Sequence, residues 1–231
     1  MRAFAIALTS AALVCSACGQ REEPIPRAST EAKPAPAPAS PSPSRARPRI
    51  VVLGDSLTAG LGLAPTEAYP HVLQQRLIDD GLDYEVVNAG VSGDTSAGGL
   101  SRLDWALEGN VRIVIVALGG NDALRGLPPE ELKRNLSRII ERAQARNITV
   151  VLAGMEAPPN FGRDYAREFH DVYPALAKEY HVPLVPFLLD GVGGVTRLNQ
   201  RDGIHPTSEG ARILADNVWT VLKPIVEPQG S

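Results

Sequence analysis

Short, continuous apolar runs alternate along this chain with longer stretches in which apolar positions recur every three to four residues. The runs at 50–53, 84–87, 112–118, 149–153 and 182–186 are rich in β-branched residues and end at glycine, proline or polar clusters, which predicts five strands. The clearest is RIVIVAL at 112–118, closed by Gly119-Gly120. Helical periodicity predicts helices over 67–80, 95–107, 129–146, 165–180 and 207–222. In the third of these, Leu132, Leu136, Ile139 and Ile140 share one face. Strands that are apolar on both faces, separated by amphipathic helices, predict a three-layer α/β/α domain with a five-stranded parallel sheet. The flavodoxin-like order 2-1-3-4-5 is expected, with functional residues in the loops just beyond the strand ends.

The first 48 residues do not fit this alternation. Residues 3–14 form an apolar run behind Met1-Arg2, too short to span a bilayer and of the length of a signal-peptide core. Ala17-Cys18 then resembles the cleavage and acylation site of bacterial lipoproteins, which makes Cys18 a candidate for lipidation; ordinary secretory cleavage is the alternative. Eight of the 20 prolines lie between Pro24 and Pro48, interleaved with alanine and serine. Such a stretch has too few large apolar side chains to build a core and favours extended polyproline II, a semi-rigid spacer. The expected organisation is a signal peptide at 1–18, a Pro/Ala/Ser-rich linker at 19–48 and one domain at 49–228, exported to the periplasm or anchored in the outer membrane.

Charge and cysteine usage narrow the chemistry. Residues 1–48 carry six Lys/Arg and three Asp/Glu; the remainder carries 17 Lys/Arg and 23 Asp/Glu. No basic cluster marks the domain as a nucleic-acid binder. Both cysteines, Cys15 and Cys18, lie in the leader, so the domain has neither a thiol nucleophile nor a thiolate metal site.

Four loops at the expected ligand edge carry polar residues. The first strand runs into Gly54-Asp55-Ser56, which can present the Ser56 hydroxyl at that edge or cap a following helix. After the second strand, Gly93 lacks a Cβ, so its N–H can approach a substrate oxygen; it also suits a turn, with Asp94 as a helix cap. Gly120-Asn121 after the third strand offers a side-chain amide, a good oxyanion donor or an Asx cap. In Asp202-Gly203-Ile204-His205-Pro206, an aspartate three residues before a histidine can orient the imidazole. Each motif alone is weak. Jointly they supply a nucleophile, oxyanion donors and an Asp–His pair, the parts of one acyl-transfer site.

The blocks GDSLTAG, SGDT, GGND and DGIHP, in this order, resemble the SGNH (GDSL) hydrolase superfamily, and the runs NAGVSGDTS, LGGNDALRG and YPALAKEY resemble its bacterial periplasmic arylesterase, thioesterase I and lysophospholipase subgroup. The resemblance covers the whole domain. It implies Ser56 as nucleophile, Asp202 and His205 as its triad partners, and the Ser56 N–H, Gly93 N–H and Asn121 side chain as oxyanion donors. It also implies a serine esterase that acts on small acyl esters, thioesters or lipids, as a monomer, with neither cofactor nor metal. A carbohydrate O-deacetylase on the same scaffold and a non-catalytic surface-binding lipoprotein are the alternatives. Asp55 and, in the loop after the fourth strand, Glu156, Pro158 and Phe161 are the candidate substrate-binding residues. Glu156 puts a charge where the resemblance implies an acyl chain binds, or is a solvated loop carboxylate.

Overall fold

The computed structural model describes residues 47–227; the leader, Cys18 and most of the predicted linker lie outside the described residues. Five strands, β1 (Arg49–Gly54), β2 (Glu85–Gly90), β3 (Val111–Ala117), β4 (Thr149–Ala153) and β5 (Leu184–Val185), form one parallel sheet in the order β2-β1-β3-β4-β5. This is the expected topology. The crossover helices are α1 (Ser56–Ala59), α2 (Tyr69–Asp79), α3 (Ser96–Ser101), α4 (Leu103–Ala106), α5 (Gly120–Leu124), α6 (Pro129–Gln144), α7 (Arg163–Tyr180) and α8 (Ser208–Val226). Helices α2 and α8 pack together on one face, and α3, α6 and α7 on the other.

Both faces of the sheet are buried. Val114, Ile115 and Val116 of β3 and Ile50, Val52 and Leu53 of β1 are wholly inaccessible. Opposite them lie Leu132, Leu136, Ile139 and Ile140 of α6, Phe169 and Leu176 of α7, and Leu214, Val218 and Leu222 of α8. Each such side chain contributes roughly 1.5–3 kcal/mol relative to exposure. The core therefore accounts for the rigidity of the edge from which the polar loops project.

The helix expected over 95–107 breaks in two at Arg102, whose backbone (φ −106°, ψ 9°) leaves the helical region. The guanidinium of Arg102 explains the break. Its Nε donates to Asp94 Oδ2 at 2.6 Å and one Nη donates to the Gly54 carbonyl at 2.9 Å, so the side chain turns inward beneath the strand ends. The helix expected from 67 starts at Tyr69; Glu67 instead closes a single 3-10 turn, where its carboxylate accepts from the Ala64 N–H. Helices α1 and α5, one turn each, follow β1 and β3 directly, where the hydrophobic pattern is too short to announce them. At Gly90 a Cβ would stand 2.2 Å from the Ala59 backbone nitrogen, so only glycine lets α1 lie this close to the end of β2.

Candidate active site

The loops after β1, β2, β3 and β4 and the segment before α8 converge on one cavity of about 710 Å³ at the carboxyl edge of the sheet. Ser56, Gly93, Asn121 and His205 all line it.

Ser56 is the first residue of α1. Asp55 caps that helix, its Oδ1 accepting from the Leu57 N–H at 3.0 Å. The Ser56 N–H thus belongs to the first helical turn, where backbone donors have no intrahelical acceptor. His205 arrives from the other end of the chain. Its Nε2 is 2.9 Å from Ser56 Oγ and its Nδ1 is 2.8 Å from Asp202 Oδ2. Asp202 Oδ1 accepts from the backbone N–H groups of Ile204 and His205 at 2.9 and 3.0 Å. Those two N–H donors, and then the ring of His205, hold the Asp202 carboxyl down at about 2. An ionised carboxylate on Nδ1 fixes the tautomer that leaves Nε2 free to take a proton from Ser56.

The segment before α8 is fastened by two amides that sequence patterning does not single out. Gln200 Nε2 donates to the Leu61 carbonyl at 2.7 Å and to the Pro206 carbonyl at 2.9 Å, so it ties the histidine loop to the loop that follows the serine helix. Asn199 Nδ2 donates to Val192 and Val195 carbonyls at 2.7 and 3.0 Å. Neither residue belongs to a spacing motif, and nothing in their local sequence announces a contact 139 residues away.

Asn121 Nδ2 donates to the Asp94 carbonyl at 2.9 Å and to Asp55 Oδ2 at 3.2 Å. Both partners are acceptors, so the amide faces them with nitrogen rather than oxygen. Gly93 has φ +85°, and a Cβ there would meet no protein atom closer than 3.9 Å; the left-handed backbone, not crowding, calls for glycine. Its carbonyl accepts from Arg125 at 2.8 Å. Asp94 does not cap α3. Thr95 does, through the Gly98 N–H, while Asp94 pairs with Arg102.

Asp55 lines the cavity floor but is only 3% exposed. Burial pushes its carboxyl up to about 6, against the opposing pull of the Leu57 N–H, the charge of His205 and the Asn121 amide. Glu156 and Pro158 also line the cavity. Phe161 does not line it: its ring packs against Tyr165, with centroids 5.4 Å apart, and over Gly126. Glu156 has a partner that the sequence pattern does not announce, His170 of α7, whose Nδ1 lies 2.6 Å from Glu156 Oε1. The described residues contain no group of three or more His, Cys, Asp or Glu side chains placed to hold a metal ion.

Residues 52–213 match the model of the GDSL-like Lipase/Acylhydrolase family. The chain is 47% identical over 178 residues to the esterase TesA of Pseudomonas aeruginosa, a match that spans 77% of this chain and 89% of that protein. It is 39% identical over 178 residues to thioesterase 1/protease 1/lysophospholipase L1 of Escherichia coli K12, covering 77% and 84% of the two chains. A solved crystal structure of TesA superposes with a TM-score of 0.74 at 47% identity, over 77% of this chain and 99% of that one.

Proposed function

The chain belongs to the GDSL-like lipase/acylhydrolase (SGNH hydrolase) family, and from that membership we propose that Ser56, His205 and Asp202 form its catalytic triad. The enzyme is a serine esterase of small carboxylic esters. The observation that carries the residue assignment is the continuous relay from Asp202 Oδ2 through His205 to Ser56 Oγ, at 2.8 and 2.9 Å.

In the first step His205 Nε2 accepts the Ser56 proton while Oγ attacks the substrate carbonyl carbon. Asp202, ionised above about pH 2, holds the imidazole and stabilises its protonated form. The Ser56 N–H and the Gly93 N–H receive the oxyanion, joined by Asn121 Nδ2 as its longer bond, to Asp55 Oδ2 at 3.2 Å, gives way. The imidazolium then gives that proton to the leaving oxygen or sulfur as its bond to the acyl carbon breaks, the alcohol or thiol departs, and an acyl-serine remains. A water molecule that gives its proton to His205 hydrolyses the acyl-serine and restores the free enzyme. Ser56, Gly93, Asn121, Asp202 and His205 all come from one chain, so a monomer suffices.

Leu61, Leu124, Met155, Phe187, Leu189 and Ile204 give the cavity an apolar lining. That lining favours acyl esters and thioesters over acetylated sugars, whose hydroxyls would lack partners there. The apolar run at 3–14 and Cys18 favour export and attachment to a membrane, with 19–48 as the spacer and 49–228 as the hydrolase domain.

A fluorophosphonate probe tests the assignment. Wild-type protein is expected to be labelled on Ser56 and to hydrolyse p-nitrophenyl butanoate, and Ser56→Ala to lose both. A Ser56→Ala variant with undiminished hydrolysis overturns the assignment. Metabolic labelling with palmitate, lost in Cys18→Ala, tests the anchor; equal labelling of both overturns it.

A further inference from the structure

Asp55, Glu156 and His205 are the ionisable residues that line the catalytic cavity among the described residues. Asp55 is buried against the Leu57 N–H and the Asn121 amide, and His205 bonds Ser56. Glu156 alone has no part in that constellation. It stands in a wall that is otherwise apolar, between Met155 and Ala157-Pro158-Pro159.

The position of Glu156 relative to His205 decides which part of a substrate it meets. His205 lies in the segment that leads into α8, whereas Glu156 is bonded at 2.6 Å to His170 of α7, and α7 and α8 cover opposite faces of the sheet. A general acid must reach the departing oxygen or sulfur, so the leaving group lies on the His205 side. The acyl chain then runs the other way, along the wall after β4. A chain long enough to pass Glu156 must strip water from a carboxylate that has an apolar surface on either side. In exchange Glu156 has the His170 ring, bonded at Oε1. Desolvating a carboxylate without supplying donors is far more unfavourable than burying a few methylenes is favourable.

We infer that Glu156, held in the cavity wall by His170, is a specificity-determining residue that limits this enzyme to acyl chains too short to pass it. The inference rests on the esterase reading given above. It concerns the length of the acyl group and not the chemistry at Ser56. His170 is a positioning residue: its ring bond keeps the carboxylate at the wall instead of letting it swing to solvent.

The test is the ratio of kcat/KM for p-nitrophenyl dodecanoate to that for p-nitrophenyl butanoate, measured on the full-length protein. Glu156→Leu is expected to raise the ratio at least about tenfold, the scale on which a hydrophobic pocket discriminates one methylene. Glu156→Gln, which removes the charge and keeps the shape, is expected to raise it by a smaller factor, and it serves if the leucine variant does not fold. His170→Ala is expected to raise the ratio as well, since an untethered Glu156 can leave the wall. Unchanged ratios in Glu156→Leu and Glu156→Gln, with wild-type protein active on the butanoate, overturn the inference alone. Wild-type protein inactive on every ester overturns the esterase reading instead.

Discussion

The loop that carries Asp55 and the loop that carries Asp202 meet at one hydrogen bond, between His205 Nε2 and Ser56 Oγ, and they treat the same side chain in opposite ways. Asp55 is 3% exposed, and burial pushes its carboxyl up to about 6. The Asp202 side chain is 46% exposed, and two backbone N–H groups with the His205 ring bring its carboxyl down to about 2. Position beside the proposed nucleophile does not by itself make a carboxylate the one that supports the proposed base. Asp55 is adjacent to Ser56 in sequence, yet it bonds the Leu57 N–H and Asn121. Asp202, remote in sequence, bonds the imidazole. The exposed loop therefore supplies the charge, and the buried loop supplies the framework.

The largest expected effect separates these two roles. Asp202→Ala leaves His205 without its orienting anion and should lower kcat by about 10³–10⁴, as for triad aspartates elsewhere. Steady-state hydrolysis of p-nitrophenyl butanoate measures it. A kcat within a few-fold of wild type would assign the charge to another group and undo the comparison. The next effect falls on the buried side. Asn121→Ala removes one proposed oxyanion donor and should lower kcat by about 10²–10³ with KM little changed. A rise in KM at constant kcat would make Asn121 a ground-state binding residue instead.

Much of this site was legible in the sequence, for a physical reason. A parallel sheet buried on both faces forces continuous apolar runs, so each strand end is marked by the first glycine or polar cluster after it. Gly54, Gly90 and Gly119 sit at such ends, and the residues just beyond them line the cavity. The contacts that fix those residues were not legible. Arg102 breaks a helix that periodicity draws as continuous, because its guanidinium finds Asp94 and the Gly54 carbonyl under the strand ends. Gln200 reaches across 139 residues of chain to Leu61. Glu156 and His170 pair from a loop and a helix face whose local patterns say nothing of each other. Phe161, expected in the cavity, packs on Tyr165 and over Gly126, where the missing side chain leaves room for its ring. Periodicity reads burial one element at a time, and polar contacts between loops have no period.

The buried aspartate gives a third prediction, on stability. A carboxyl that titrates at about 6 when folded and near 3.8 when unfolded binds its proton more tightly in the native state. Its contribution is fully present below about pH 4 and is lost as pH rises through 6. A rise of that size corresponds to roughly 3 kcal/mol. Asp55→Asn cannot ionise and keeps a side chain that caps helices well. Between pH 4 and 7.5 its unfolding free energy, from urea titration, should fall less than that of wild type by up to that amount. An equal fall in both proteins would mean that Asp55 is ionised at no cost.

Asp202 should show the opposite sign and the smallest effect. Its folded carboxyl titrates lower than the unfolded one, so its contribution is present above about pH 4 and is lost as pH drops toward 2. The group is solvent-screened, so the change is a small fraction of what Asp55 produces. Asp202→Asn should therefore lose less Tm than wild type between pH 4 and 2, whereas Asp55→Asn departs from wild type between pH 5 and 7.5. Thermal unfolding of both variants across the two windows sets the aspartates side by side. If Asp55→Asn showed its departure between pH 4 and 2 instead, the contrast between a buried framework and an exposed charge would fail, whatever the kinetics of the proposed triad.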